Sequence, residues 1–408
     1  MANLFTSTLL KMEKNTAAIH HMFPRPDPYG ALAMPVYHCL AYEFADHKAM
    51  IDSFTQKSDD PDYSRVTNPT VINFERMIRS LSGAEDAVAF NSGMAAISAA
   101  VMAVAYAGCR IVTSRHLFGN TYLLLTRTLA RFGVETVLVD LTDIEAVRAA
   151  MTADTCCIYL ETITNPQMEV ADIRALADIA HEHGAALLAD TTMIPFIHMD
   201  ARRLGIDVEI LSSTKYLSGG ATSLGGVVID YGTFPGISAA LRKDILMNLG
   251  GYMTPHAAYM QTLGMETLAV RYDAQERNAA EVARAMAARG DVEVCWPGLP
   301  ENPFHQLASR QFGGRFGAML TLTLPSEEAC FRCIDALQLV RRATNLFDNK
   351  SLAIHPASTI FGTIDEATRR EMDVSDRLIR LSIGLEDPDD ITADLNRALD
   401  IALNSEQQ

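Results

Sequence analysis

No stretch of this sequence is long and apolar enough to read as a membrane span. Its start, MANLFTSTLLKMEKN, lacks the basic stretch, apolar run and small-residue cleavage site of a signal peptide. A cytoplasmic protein is expected. Basic residues are the scarcer charge: 34 Lys and Arg stand against 50 Asp and Glu, giving a formal net charge of -16. Nucleic acid and anionic membranes are therefore not expected as partners, although a local positive pocket would still hold a small anion. There is no internal repeat and no low-complexity segment. A disulfide framework is also missing. The seven cysteines (Cys39, Cys109, Cys156, Cys157, Cys295, Cys330 and Cys333) are odd in number and scattered. Cys330 and Cys333 form a lone CxxC, CFRC, on a helix-like stretch with no second half to complete a metal site. Free thiols are expected, and no metal.

The 408 residues exceed what one core usually organises, and hydrophobic (49%) and charged (21%) fractions are those of an ordinary globular chain. Residues 1–65 carry Pro24, Pro26, Pro28, Pro35 and Pro61 and the polar run QKSDDPD, the pattern of an extended N-terminal arm that packs on a neighbouring subunit. From 66 to 260, helix-like stretches alternate with short apolar runs: AVAF, CRIVTS, VETVLVD, CCIYLE, AALLAD, VEILSS and GGVVID. That alternation predicts an α/β domain with a mostly parallel sheet, and ligands at the carboxyl ends of its strands. From 261 to 408, long helical stretches and a few strand-like runs predict a smaller α+β domain.

Three positions just past apolar runs carry chemistry. Asn91-Ser92-Gly93-Met94 follows AVAF and opens a helix, where backbone N–H groups, a hydroxyl and a close-approach glycine suit a phosphate, or merely cap the helix. Asp190 closes AALLAD as a ring-nitrogen partner, an acid/base, a metal ligand or a turn former. Lys215, in Ser212-Ser213-Thr214-Lys215-Tyr216 after VEIL, is poorly placed for a solvated surface charge and suits Schiff-base chemistry.

Their order, with the segments YSRVTNPT (63–70), NSGMAAI (91–97), ETITNPQ (161–167), SSTKYLSGG (212–220), HPAST (355–359) and LIRLSIGLED (378–387), resembles the pyridoxal 5′-phosphate (PLP) enzymes of cysteine and methionine metabolism, the transsulfuration family. The resemblance implies the fold-type I, aspartate aminotransferase-like architecture and PLP as cofactor. It implies Lys215 as the Schiff-base lysine and later general base, Asp190 as partner of the ring nitrogen, and Asn165 as partner of the ring hydroxyl. Ser92, Gly93, Met94, Ser212 and Thr214 would hold the phosphate, with Tyr63 and Arg65 reaching it across a subunit interface. Arg380, with Asn345 nearby, would clamp the substrate α-carboxylate. A homodimer with shared active sites, paired into a tetramer, follows from the same likeness.

The sequence departs from the family pattern in places. Phe118 stands where a ring-stacking tyrosine is usual, which keeps the stacking surface but removes the hydroxyl; Tyr122, one helical turn on, is the candidate substitute. Asp190-Thr191-Thr192 replaces Asp-Asn-Thr, Gly220-Ala221 replaces a histidine-glycine, Leu263 and Glu266 occupy positions often basic, and Phe347 stands where glycine is common. Asn345 and Lys350 occur where lyases carry serine and glutamate, which favours the sulfhydrylase branch. The expected activity is γ-replacement, joining an O-acetyl- or O-succinylhomoserine to sulfide or a thiol. The alternatives are a methionine γ-lyase or cystathionine lyase and, in another class, a PLP-binding protein with little catalysis.

Overall fold

The computed structural model describes residues 12–21, 23, 27–55 and 57–404. The first eleven residues of the expected arm, with Pro24 and Pro26, lie outside the described residues. All seven apolar runs are strands: β1 (Asp86–Phe90), β2 (Arg110–Ser114), β3 (Glu135–Val139), β4 (Thr155–Glu161), β5 (Ala186–Asp190), β6 (Val208–Leu211) and β7 (Gly226–Asp230). β4, β6 and β7 are buried at every position, which is why they read as mostly apolar runs rather than alternating ones. The chain divides into two compact units, each assembled from two stretches of sequence: Met1–Val104 with Asp207–Leu268, and Ala105–Ile206 with Ala269–Gln408.

In the first unit the strands run β1-β7-β6, both pairs antiparallel. Between β6 and β7 the chain forms only a 3₁₀ turn at Tyr216–Ser218, too short for the crossover a parallel neighbour needs, so β7 comes straight back. Helix Pro69–Ser82 starts where the Asn68 side chain accepts the Thr70 N–H (3.0 Å) and ends at left-handed Gly83 (φ 69°). Arg242, on the π-helical segment Ala240–Leu246, bonds Asp86 at 2.6 and 2.8 Å and Glu75 at 3.1 Å, tying that segment to β1. The stretch expected to be irregular holds two short helices, Lys14–Ile19 and His47–Phe54. The second of these is capped by Asp46, which accepts the Ala49 N–H (2.8 Å), a local signal outweighed in the sequence by the surrounding prolines.

In the second unit the strands run β5-β4-β2-β3, all parallel. A separate sheet holds β8 (Glu293–Cys295), β9 (Met319–Thr323), β10 (Arg341–Arg342), β11 (Leu352–Ile354) and β12 (Leu378–Ser382) in the order β10-β11-β12-β9-β8, antiparallel except for β10–β11. CFRC lies on helix Glu327–Ala336, with Cys330 and Cys333 buried. All seven cysteines are free, and burial pushes Cys330 and Cys333 up to about 12, so both stay thiols.

Candidate active site

In the first unit, two strand ends bring hydrogen-bond donors together. β1 delivers Asn91 and Ser92 to the start of helix Gly93–Val104, where Ser92 Oγ accepts the Ala95 N–H (3.2 Å). β6 delivers Ser212–Lys215. There Lys215 N–H donates to the Ser212 carbonyl (3.1 Å), and Thr214 Oγ1 both donates to and accepts from the backbone of Gly225 (3.0 Å each). The two ends are pressed together: a Cβ on Gly93 would fall 2.7 Å from Ser212 Cβ, and one on Gly226 would fall 2.1 Å from the Ser92 carbonyl oxygen. Hydroxyls and a helix N-terminus therefore converge within segments that carry no carboxylate, the donor set an anion requires. Met94 and Lys215 are half-buried there. Tyr63 and Arg65 lie in the same unit, the Arg65 guanidinium 5.7 Å from the Tyr63 ring centre and bonded to the Met247 carbonyl.

In the second unit, β4 and β5 end side by side on Glu161 and Asp190, which are register partners. Asp190 Oδ1 accepts the Thr192 N–H (2.9 Å), and the Asp190 carbonyl accepts the Thr162 N–H (3.0 Å). Asn165, buried, precedes the cis Asn165–Pro166 bond; its Oδ1 accepts from Arg380 Nη1 (3.2 Å). Arg380, 3% exposed on β12, also donates to the carbonyls of Thr344 (3.0 Å) and Asn345 (3.4 Å). Asn165, Asn345 and Arg380 thus form one cluster. Among the described residues the guanidinium's Nε has no hydrogen-bond partner, and burial pushes the group's pKa down to about 9. A buried cation held by neutral acceptors is what an incoming carboxylate would complete.

Phe118 is half-buried, with its N–H bonded to Glu161 Oε1 (2.6 Å). Tyr122, buried, donates its N–H to the Phe118 carbonyl (3.0 Å); burial and then Glu371 raise the pKa of its hydroxyl. Phe347, expected to narrow the pocket, is fully buried at φ 54°, with its N–H donated to Ser382 Oγ (2.7 Å). That left-handed backbone is one glycine takes without strain, so the glycine expected there from the resemblance would fit it more easily than Phe347 does.

Sequence reasoning missed Glu161 and His116. Glu161 stands inside the ETITNPQ segment and, like Asp190, closes an apolar run, so the rule that found Asp190 applied to it as well. His116 gave no such signal. Its Nδ1 meets Glu169 (3.0 Å) and its Nε2 meets Asp373 (2.8 Å), residues far off in sequence. Burial alone would lower its pKa, but the hydrogen bonds to Glu169 and Asp373 outweigh burial and raise it. A raised folded-state value means the stabilisation is complete below the unfolded value, about 6.5, and is lost as pH rises through the folded value. His116→Gln is therefore expected to lower the melting temperature most near about pH 6, with the gap to the parent closing as pH rises. Melting curves recorded across pH check this, and a gap independent of pH refutes it.

Residues 15–400 match the family described as Cys/Met metabolism PLP-dependent enzyme. The chain belongs to that family. Among its relatives in the family, an O-succinylhomoserine sulfhydrylase of Pseudomonas aeruginosa is 39% identical over 83% of both chains. An L-methionine gamma-lyase of Pseudomonas putida is 36% identical over 94% of this chain and 96% of its own length. A crystal structure from Campylobacter jejuni, described as an O-acetylhomoserine (thiol)-lyase, superposes with a TM-score of 0.91 at 30% identity, covering 95% of this chain and 100% of that one. It carries N′-pyridoxyl-lysine-5′-monophosphate, a lysine–cofactor adduct. The fold is thus the α/β, fold-type I architecture of PLP-dependent enzymes with a mostly parallel central sheet, and PLP is the family's cofactor.

Proposed function

We propose that this enzyme performs γ-replacement, joining an activated homoserine ester, O-succinyl- or O-acetylhomoserine, to sulfide or a small thiol. The observation that carries the reading is the Arg380 cluster, a buried cation whose partners among the described residues are neutral, in a chain whose relatives include an O-succinylhomoserine sulfhydrylase. Asn345 and Lys350, which differ from the lyase pattern, support the same branch. The likeness to a methionine gamma-lyase keeps elimination as the second reading.

The residues fit the cofactor. The carboxylate-free donors Ser92, Gly93, Met94, Ser212 and Thr214 suit its phosphate, joined in our reading by Tyr63 and Arg65 of a partner copy. Asp190 would supply the negative charge that keeps a pyridine nitrogen protonated, Asn165 would partner the ring hydroxyl, and Phe118 would cover the ring. PLP, when bound, takes up the electron pair left on the substrate's α-carbon. Arg380 orients the substrate through its α-carboxylate, with Asn345 beside it. Lys215 Nζ removes the α proton and returns it later. Phe118 has no hydroxyl to protonate a leaving group, so that task passes to Lys215 or Tyr122. A carboxylate leaving group needs little such help, in keeping with an ester substrate.

The same reading takes residues 1–65 as an arm laid on a neighbouring subunit, 66–260 as the PLP-binding domain, and 261–408 as the small domain. It takes a dimer as the smallest active unit, a tetramer as the assembly, and the cytoplasm as the location. No helix among the described residues is long and apolar enough to cross a membrane. The test is a substrate panel: O-succinyl- and O-acetylhomoserine with sulfide, against methionine, cystathionine and cysteine alone. Homocysteine formed from an ester at a rate at least about tenfold above 2-oxobutyrate release from methionine is expected. The reverse ratio establishes the lyase, and inertness toward the whole panel establishes a PLP-binding protein without this chemistry.

A further inference from the structure

We infer that Glu161 is a positioning residue of this site, holding the backbones of Phe118 and Asn165 in place beside Asp190. The inference rests on the reading above, in which Phe118, Asn165 and Asp190 attend the PLP ring. Glu161 is buried at the carboxyl end of β4, and each of its oxygens is used: Oε1 by the Phe118 N–H (2.6 Å), Oε2 by the Asn165 N–H (3.2 Å). One carboxylate therefore joins the segment expected to cover the ring to the segment expected to face its hydroxyl. No lysine or arginine within the described residues pairs with it at ion-pair distance; its neighbour across the strands is a second carboxylate, Asp190. Packing alone would not favour two acids side by side at a strand end where one of them is buried and the other half-buried.

Among the described residues, the titratable groups that act with Glu161 are Asp190 from β5 and Tyr159 from β4 itself; the Phe118 and Asn165 segments reach it through their backbone N–H groups. Burial and then the Asp190 charge push Glu161 up to about 8. A cationic ring nitrogen on Asp190 would cancel the second of these pushes. Glu161 would then ionise more readily, and its two N–H bonds would become the stronger, charge-assisted kind. Cofactor binding and the placement of Phe118 and Asn165 are linked in this way.

The test titrates PLP into the full chain freed of cofactor, reading affinity by fluorescence quenching and ring orientation by the circular dichroism of the bound cofactor. Glu161→Gln keeps the volume but turns one acceptor into a donor facing an N–H. It is expected to weaken PLP binding by about tenfold and to change the dichroism, with the melting temperature of the cofactor-free chain within about 3 °C of the parent. Parent-like affinity and dichroism overturn the inference, as does a loss of affinity that only tracks a loss of folded protein. Glu161→Asp, which keeps the charge but loses the reach, carries the same expectations if the glutamine variant does not fold. Should the parent itself bind no PLP, the reading of the site fails, not the inference alone.

Discussion

Lys215→Ala is expected to lower kcat by about 10⁴-fold or more, with the fold intact, when turnover of the best panel substrate is measured. The size follows from the two tasks assigned to one amine, anchoring the cofactor and moving the α proton. The second task alone is worth about 10²–10⁴-fold. The backbone around Lys215 is held without its side chain. Thr214 on one side is bonded three ways to Gly225, at 3.0, 3.0 and 3.2 Å. On the other side Tyr216 and Leu217 are each 1% exposed, and Ser218 Oγ donates to the Thr214 carbonyl (2.8 Å). Truncation therefore removes chemistry and little packing, and the melting temperature should move by only a few degrees, about 3 °C at most. Lys243, exposed on the π-helical segment, is the control, and Lys243→Ala should keep parent activity. Borohydride reduction followed by peptide mass mapping should place a pyridoxyl label on Lys215 alone. A label on another lysine, or turnover within tenfold of the parent in Lys215→Ala, removes the ground for the mechanism.

How far the sequence anticipates this molecule depends on how local each signal is. The seven central strands are legible because each is a short apolar run between helical patterns. The antiparallel return of β7 is half legible, since the residues after Lys215 show no helical pattern to carry a crossover. Less local features do not show. The two compact units each join distant stretches of chain, a matter of long-range packing to which no periodicity points. The His116 clamp spans 53 residues on one side and 257 on the other, and each partner looks like an ordinary surface acid. Glu161 is hidden for a different reason: it closes an apolar run as Asp190 does, and nothing local in ETITNPQ tells that its oxygens take the N–H groups of Phe118 and Asn165. For Arg380 the residue is visible in LIRLSIGLED, but what sets it apart, a buried cation without a counter-ion among the described residues, appears only in three dimensions.

That missing counter-ion makes the second large prediction. Arg380→Ala should raise KM for an amino-acid substrate by about 10²-fold or more, because a desolvated guanidinium–carboxylate contact is worth about 2–5 kcal/mol. Folding should suffer less than the burial of Arg380 would imply. The side chain contributes three hydrogen bonds, to Asn165, Thr344 and Asn345, but its removal also relieves a cation whose burial works against its charged form. Arg380→Lys separates charge from shape. It keeps a cation but loses the planar fork, so a KM rise of about tenfold, smaller than that of the alanine variant, is expected. The decisive comparison uses a substrate and its α-carboxamide. The parent should prefer the acid strongly; in Arg380→Ala the preference should collapse to about unity, since no cation remains to read the carboxylate. If the alanine variant still discriminates acid from amide as the parent does, the carboxylate is read elsewhere, and Arg380 is buried for structure alone.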